Sequence, residues 1–241
     1  ELLQRLMVPM GPVLILLIQN FEHRSILKAY LGADAGERVW SGQIHRGDSE
    51  ALEAAICFCD LRGFTELSEQ LARDDLLHLI NDVFAQLVAC VSAQGGQVLK
   101  FMGDGMLATF ANTRGRPLCE PALEAAKNAI DAIETLRDVR KREHKVTPKI
   151  GIGLHVGEVL YGNIGAPGRL DFTVIGSAVN QTARIEGLCS RVGQEILMSE
   201  AFAHAVDATD HPQGEYTVKG FDEAIRIYGL TPRLPISEPQ S

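Results

Sequence analysis

The chain has 241 residues, of which 46% are hydrophobic and 22% are charged, a composition that is typical of a soluble globular protein and excludes disorder over most of its length. The length accommodates one α/β domain of ordinary size plus an extension. The formal net charge of −8 at pH 7 excludes a protein that coats nucleic acid, because such proteins neutralise phosphates with lysine and arginine.

Five cysteines form neither a CxxC pair nor a dense framework with an even number of members. We therefore expect no disulfide scaffold and no structural zinc, and a reducing cytoplasm fits best. Cys57 and Cys59 lie two apart in an apolar run, so we expect both side chains to point to one face of a strand as small hydrophobic groups.

Residues 1–50 are predicted to be a helical connector at the end of a larger regulatory region. Their first apolar run, residues 6–18, is interrupted by Pro9, Gly11 and Pro12 and is shorter than the roughly 20 residues of a membrane-spanning helix. It also lacks a basic start and a cleavage site. We expect a buried helix or a partner-contacting segment, and no membrane span in this chain; the tail of a truncated membrane segment is the alternative.

The main domain is predicted to cover residues 51–232, followed by a flexible tail at 233–241. Residues 54–59 are a continuous apolar run that is typical of a buried strand. Two apolar runs flank an Asp-Gly pair, which predicts a β-hairpin. The further predicted elements are helix 64–91, strands 97–102 and 106–110, helix 121–142, strands 149–163 and 169–175, helix 177–188, and strands 195–198, 215–219 and 225–230.

This order predicts an α+β fold. Its front half matches a ferredoxin-like β-α-β-β-α-β core, in which helices cover one face of an antiparallel sheet. Extra strands and helices follow this core toward the C-terminus.

Asp60 ends the first predicted strand, and residues 61–65 (LRGFT) lead from it into a helix. A turn of this kind brings backbone N–H groups and the positive end of a helix beside a carboxylate, which suits a metal-bound phosphate. An Asp in this place also commonly serves as a helix cap or a turn former.

Asp104 lies at the tip of the predicted hairpin, where Asp-Gly is ordinarily only a turn. Together with Asp60, however, it places two carboxylates at the ends of neighbouring strands. Mg²⁺ is commonly held by one or two carboxylates plus substrate phosphates. The pair therefore makes two-metal phosphoryl chemistry possible.

Asn180 and Arg184 are four residues apart on the helix after Gly176, so they share one face. Arginine binds phosphate oxygens and asparagine can orient a ribose, although an ordinary exposed pair has the same spacing. Lys100 lies within an apolar run and needs a partner, whereas Lys219 is equally typical of a solvated strand end.

Three segments resemble the signature blocks of the class III nucleotide cyclase catalytic domain. They are residues 58–65 (FCDLRGFT), 100–105 (KFMGDG) and 173–184 (TVIGSAVNQTAR). The resemblance covers roughly residues 54–230, with the blocks in the family's order and spacing. It implies the class III cyclase fold and an adenylate cyclase that converts ATP to 3′,5′-cyclic AMP and pyrophosphate.

The resemblance also implies residue roles. Two divalent cations, Mg²⁺ or Mn²⁺, are assigned to Asp60 and Asp104, with the Leu61 carbonyl as an added ligand. The remaining assignments are a triphosphate cradle at Gly63, Phe64 and Thr65, adenine recognition at Lys100 and Thr173, ribose orientation at Asn180, transition-state stabilisation at Arg184, and terminal-phosphate contact at Lys219.

Thr173 departs from the usual pattern, because many adenylyl cyclases carry Asp at this position and guanylyl cyclases usually carry Cys. A threonine hydroxyl can accept a hydrogen bond from the adenine amino group, although more weakly than a carboxylate. In this family, Thr marks the subgroup that includes bicarbonate-responsive cyclases.

Members of the family form head-to-tail dimers in which one chain supplies the metal ligands and the other supplies the base, ribose and transition-state residues. This chain carries both sets, so the resemblance implies a C2 homodimer with two shared sites. The connector would then transmit the signal of an upstream sensor. No nucleic-acid partner is expected.

Three alternatives remain open. A guanylate cyclase is the nearest, but Lys100 would present donors where guanine also donates. A diguanylate cyclase shares a similar fold, but residues 101–105 lack that family's Gly-Gly-acidic-Glu-Phe string. The third alternative is an inactive nucleotide-binding dimerisation module, which a turnover assay with Mn²⁺ and ATP would distinguish.

Overall fold

The computed structural model describes residues 2–112, 114–218 and 224–230, with side chains described from Gly11 onward. Lys219 and the predicted tail at 233–241 therefore lie outside the described residues. In chain order the elements are α1 (Leu2–Leu31), α2 (Ala33–Trp40), β1 (Ser49–Leu61), α3 (Phe64–Gln70), α4 (Arg73–Ala93), β2 (Gln97–Met102), β3 (Gly105–Phe110), α5 (Cys119–Arg142), β4 (Ile150–Ala166), β5 (Arg169–Ile175), α6 (Ser177–Val192), β6 (Ile196–Ser199), α7 (Glu200–Ala205), β7 (Pro212–Tyr216) and β8 (Ile225–Gly229).

Two compact units divide these elements. Unit 1 comprises the described residues of 1–50 and 161–173, and unit 2 comprises those of 51–160 and 174–241. Unit 1 thus contains α1, α2, the end of β4 and most of β5. Unit 2 contains most of the sheet and the helices α3 to α7.

The sheet has the strand order β2-β3-β1-β4-β6-β8-β7, and β5 pairs with β4. The segment β2-β3-β1-β4 is the order of a ferredoxin-like core, which confirms the predicted fold class. β3 pairs antiparallel with both β1 and β2, whereas β4 and β6 are parallel. The complete sheet is therefore mixed.

The largest core cluster lies between the sheet and helices α4 and α5. Alternate residues of β1, from Ala55 through Cys57 and Cys59 to Leu61, belong to it. The prediction for the two cysteines is confirmed, since both are buried on this face. All five cysteines are free thiols.

Helices α4 and α5 of the ferredoxin-like core lie on one face of the sheet, as predicted, and helix α6 covers the opposite face of β4. Ile152 belongs to the large core cluster, and its neighbour Gly153 points the other way because strand residues alternate. A Cβ atom on Gly153 would lie 2.6 Å from the carbonyl oxygen of Thr182. Glycine at this position therefore allows α6 to approach the strand closely.

Among the described residues, only α4 is long and apolar enough by composition to cross a membrane. One side of this helix nevertheless packs on the core of unit 2. Leu79, Val83, Leu87 and Val91, spaced by four, join the large core cluster. This stripe is what a helix on the surface of a globular core requires.

Helix α1 corrects one expectation. It runs without a break through Pro9, Gly11 and Pro12 to Leu31. The apolar side chains of residues 13–18 are 49% to 60% exposed, so this stretch is not a helix buried within the chain. Contact with a partner, and the truncated membrane segment as its alternative, stay predictions.

Other boundaries differ modestly from those predicted. β1 begins at Ser49, earlier than the predicted strand. Its first residues are mostly exposed and polar, so their pattern does not indicate a buried strand. The helical stretch after Gly63 divides into α3 and α4, since Leu71 and Ala72 adopt extended backbone angles. β7 covers Pro212–Tyr216, several residues earlier than the predicted strand 215–219.

Candidate nucleotide and metal site

The register of β1 and β3 brings the two predicted metal ligands together. Asp60 lies opposite Gly105, which directly follows Asp104 in the two-residue hairpin turn. Burial, the charge of Asp104 and a hydrogen bond between the two carboxyl groups together raise the pKa of Asp60 to about 6. Two carboxyl groups in such contact cannot both ionise freely unless a cation offsets their repulsion.

This donor set fits a divalent metal. In the part of the chain that the structure describes, no group of three or more His, Cys, Asp and Glu residues forms a candidate metal site. Two carboxylates suffice where substrate phosphates complete the coordination of Mg²⁺. Asp60 and Asp104 therefore form an open site that suits a metal–phosphate complex.

The turn after β1 provides backbone donors next to these carboxylates. Gly63 has φ 68° and ψ 26° and precedes α3, a left-handed conformation that strains any residue with a Cβ atom. The first turn of a helix has N–H groups without intrahelical partners. Phe64 and Thr65 begin this turn, as their predicted place in a phosphate cradle requires.

Arg62 holds the turn in place, a role that the sequence analysis missed. Its Nε donates to the Ile150 carbonyl at 3.0 Å, and one terminal nitrogen donates to Ser190 Oγ at 2.8 Å. The other terminal nitrogen donates to the Gln194 carbonyl at 2.6 Å. Arg62 thus connects the turn after Asp60 with the start of β4 and the C-terminal end of α6.

Glu186 is a second residue that the sequence analysis missed. Its pKa is raised to about 7, chiefly by burial and then by the charge of Asp60, against the opposing charge of Arg62. It lies on α6, two residues after Arg184. The charges of Asp60 and Asp104 therefore act on a side chain of α6.

Asn180 and Arg184 share the exposed side of α6, as their spacing predicts. Both residues are exposed, while Ala178, Thr182 and Ile185 on the same helix are buried. The inner side of α6 packs on the sheet, and the outer side presents an amide and a guanidinium. Both groups are therefore accessible to a nucleotide.

The two predicted base-reading residues belong to different units. Lys100 is an exposed residue of β2 in unit 2, and the next residue, Phe101, stacks on Phe84 with ring centroids 4.4 Å apart. Thr173 is a half-buried residue of β5 in unit 1. The structure thus places Asp60 beside Asp104, whereas Lys100 and Thr173 belong to separate units.

Comparison with known proteins identifies the family of this chain. Residues 48–232 match the family model described as the adenylate and guanylate cyclase catalytic domain. An adenylate cyclase of Anabaena cylindrica is 35% identical over 194 residues, which are 77% of this chain and 38% of that protein. The chain thus spans about two fifths of the length of that relative.

Solved structures of similar fold include cyclases of both substrate classes. A bacterial light-regulated adenylyl cyclase has a TM-score of 0.75 and 26% identity, covering 92% of this chain and 64% of that one. A guanylyl cyclase has a TM-score of 0.65 and 28% identity, covering 75% of this chain and 92% of that one. With the family match over most of its length, the chain belongs to the adenylate and guanylate cyclase catalytic domain family.

Proposed function

We propose that this chain is the catalytic part of an adenylate cyclase, which converts ATP to 3′,5′-cyclic AMP and pyrophosphate. The observation that carries the proposal is the pair of carboxylates, Asp60 and Asp104, beside a turn with free helix N–H groups. The adenylate cyclase of Anabaena, 35% identical over most of this chain, supports the choice of reaction.

In the proposed reaction the ribose 3′ oxygen bonds to the α-phosphorus while the bond from that phosphorus to pyrophosphate breaks. Asp60, Asp104 and the Leu61 carbonyl would hold two divalent cations, Mg²⁺ or Mn²⁺. When bound, these cations supply charge neutralisation at the triphosphate and favour ionisation of the 3′ hydroxyl. The backbone from Gly63 to Thr65 would bind phosphate oxygens.

The other residues would bind and orient the nucleotide. Lys100 and Thr173 would recognise the adenine edge, and Asn180 would orient the ribose. Arg184 would stabilise the charge that develops on the α-phosphate, a task that suits a fixed guanidinium. Lys219, carried over from the resemblance alone, would contact the terminal phosphates.

The site is proposed to form between two copies of the chain. The metal half, Asp60 and Asp104, of one protomer would face Asn180 and Arg184 of its partner. The exposure of the outer side of α6 supports this arrangement, because it leaves both side chains accessible to a second chain. A head-to-tail C2 homodimer then contains two equivalent sites.

Location and regulation follow as parts of the same proposal. The five free cysteines favour a cytoplasmic location, where thiols stay reduced. The connector of residues 1–50 would link the catalytic part to an upstream sensor. The share of the Anabaena relative outside the match leaves room for such a region.

A guanylate cyclase is the second candidate, and the guanylyl cyclase of similar fold is the observation that favours it. Lys100 argues for adenine, since an ammonium group can only donate and guanine presents donors at its N1 and its amino group. Relative turnover of ATP and GTP decides between the two. An inactive nucleotide-binding module would turn over neither.

The deciding experiment measures product formation from ATP and from GTP with Mn²⁺. We expect cyclic AMP from the unaltered chain. Asp60→Ala and Asp104→Ala should each lower kcat by about 10²–10³-fold or more, by analogy with removal of a group that stabilises transition-state charge. Asp138→Ala, which removes an exposed carboxylate paired with Lys141 on α5, is the matched control. Activity retained in either site variant would contradict the metal assignment.

A further inference from the structure

Within unit 1, helix α2 holds the β4–β5 hairpin through a buried tyrosine. The Tyr161 hydroxyl donates to Asp34 Oδ2 at 2.7 Å, and Arg38 Nε donates to the same oxygen at 2.8 Å. The Arg38 guanidinium carbon lies 4.9 Å from the centroid of the Tyr161 ring. Tyr161 is only 6% exposed, so its hydroxyl needs this partner.

The Tyr161 ring continues the contact into strand β5. It packs edge-on against Phe172 with centroids 4.9 Å apart and an interplanar angle of 88°, a favourable aromatic geometry. Phe172 is 5% exposed and immediately precedes Thr173. Because strand side chains alternate, Phe172 anchors β5 from the face opposite to the Thr173 side chain.

A second attachment fixes the hairpin two residues further on. Asn163 is 4% exposed, and its side-chain nitrogen donates to the Gln43 carbonyl at 2.7 Å. Its backbone accepts from Gly47 N at 3.1 Å and donates to the Asp48 carbonyl at 2.9 Å. The hairpin therefore has little freedom to move independently of the segment after α2.

Helix α1 is connected to the same network. Arg24 pairs with Glu37 of α2, and a Cβ on Gly36 would lie 2.9 Å from the backbone of Leu27. The two helices therefore approach each other closely and are ion-paired. A displacement of α1 would be carried into α2, and from α2 through Tyr161 into β5.

We infer that Asp34, Tyr161 and Phe172 are positioning residues that set the location of Thr173 for recognition of the purine. This inference rests on the proposed function, in which Thr173 reads the base. A hydroxyl binds its partner only within a narrow range of distance and angle, so a displaced Thr173 would lower the affinity for the nucleotide. Asp34, a residue of the connector, thereby influences substrate affinity through Thr173 without contacting the substrate itself.

The test uses Tyr161→Phe, which removes the hydroxyl and keeps the ring against Phe172. We expect KM for ATP to rise about 5-fold while kcat changes by less than about 2-fold, as for loss of an interaction that acts on binding. Tyr216→Phe is the matched control, because that half-buried hydroxyl donates to the Gln213 carbonyl at 3.0 Å on β7. It should leave both constants unchanged.

A double-mutant cycle separates positioning from general damage. Asp34→Ala and Asp34→Ala combined with Tyr161→Phe should raise KM by the same factor, because the two residues act as one unit. Asp34→Asn retains an acceptor oxygen and should recover part of the loss. Independent, multiplying effects of the two substitutions would overturn the inference.

Hydrogen exchange provides a readout that needs no turnover. Amides of residues 169–175 should exchange about tenfold faster in Tyr161→Phe than in the unaltered chain or Tyr216→Phe, as expected for a loosened strand. If the unaltered chain forms no cyclic nucleotide, the proposed function fails. The positioning role is then tested by hydrogen exchange and by the Kd for ATP, measured in place of KM. Unchanged exchange at 169–175, or unchanged affinity for ATP despite faster exchange, overturns the positioning role.

Discussion

The carboxylate edge, formed by Asp60 and Asp104, and the tyrosine contact, formed by Asp34 and Tyr161, use aspartates in opposite ways. At the carboxylate edge two acids lie against each other, and the pKa of Asp60 is raised. At the tyrosine contact one carboxylate accepts from a hydroxyl and from a guanidinium. The first arrangement needs a cation to be stable in its ionised form, whereas the second is satisfied within the chain.

The pKa of Tyr161 expresses the same difference. Burial raises it above its ordinary value, and the hydrogen bond to Asp34 raises it further, so the hydroxyl stays a donor at any physiological pH. Structural contacts of this kind are insensitive to metal. The proposed catalytic contact, by contrast, should respond to metal in both activity and stability.

The largest expected effect tests whether the carboxylate edge is completed by a second chain. Asp104→Ala and Arg184→Ala chains should each be inactive, and a mixture that exchanges subunits should regain about a quarter of the unaltered activity. Half of the dimers are then heterodimers, and one of the two sites in each is intact. Cyclic AMP formation after mixing is the measurement.

The control for this mixture keeps both defects in the same half of the site. Asn180→Ala mixed with Arg184→Ala should stay inactive, since no combination restores an intact transition-state half. If the Asp104→Ala and Arg184→Ala mixture also stays inactive after subunit exchange is demonstrated, the site lies within one chain.

The next effect concerns the support behind the carboxylate edge. Arg62→Ala should lower the free energy of unfolding by about 2–3 kcal/mol, because two carbonyl groups and one hydroxyl lose a charged donor. Urea unfolding measures it, and Arg73→Ala, at an exposed position that begins α4, should have an effect below about 0.5 kcal/mol. Equal stability of the two variants would show that Arg62 does not support the turn.

The carboxylate edge was predictable because its signals are local. An apolar run ending at Asp60 and a hairpin around Asp104 are each visible within a few residues, and strand pairing brings them together. The tyrosine contact was not predictable, since Asp34 and Tyr161 are 127 residues apart and neither position has a distinctive neighbourhood in the sequence.

The same reasoning explains the other differences from prediction. No prediction was made of the sheet face that α6 covers, because its packing depends on the close approach allowed by Gly151 and Gly153, which the hydrophobic pattern does not reveal. The roles of Arg62 and Glu186 depend on tertiary neighbours that are distant in sequence. Residues with local chemistry were found, and residues that act through packing were missed.

A pH-dependent effect of comparable size comes from a buried group that belongs to neither aspartate site. Burial lowers the pKa of His155 to about 4, and its Nδ1 is hydrogen-bonded to Ser199 Oγ at 2.8 Å. The unfolded chain binds the proton more tightly, so His155 contributes stability that is complete above about pH 6.5 and is lost as the pH falls toward about 4. We expect a decline of up to about 3 kcal/mol over this window.

The measurement is urea unfolding of the metal-free chain between pH 7 and pH 4. In His155→Gln, which keeps a polar group able to bond Ser199, the decline should be smaller by most of that amount. His78→Gln, a substitution at an exposed position of α4, is the control and should leave the decline unchanged. A decline of the same size in His155→Gln would contradict the prediction.

The smallest effect returns to the difference between the two aspartate sites. Without metal, Asp104→Asn should raise the free energy of unfolding at pH 7.5, because it removes the repulsion between the two carboxylates. We expect a rise of only about 0.5–1 kcal/mol, since Asp60 is half-buried and solvent screens this repulsion. Asp34→Asn should lower the free energy of unfolding, since that carboxylate is matched by donors. Saturating Mn²⁺ should raise the melting temperature of the unaltered chain and of Asp34→Asn but not that of Asp104→Asn, because a ligand that binds only the folded state stabilises that state. Equal shifts in all three chains would place the metal elsewhere. A loss of stability in Asp104→Asn without metal would mean that a shared proton attracts the two carboxyl groups more strongly than their charges repel.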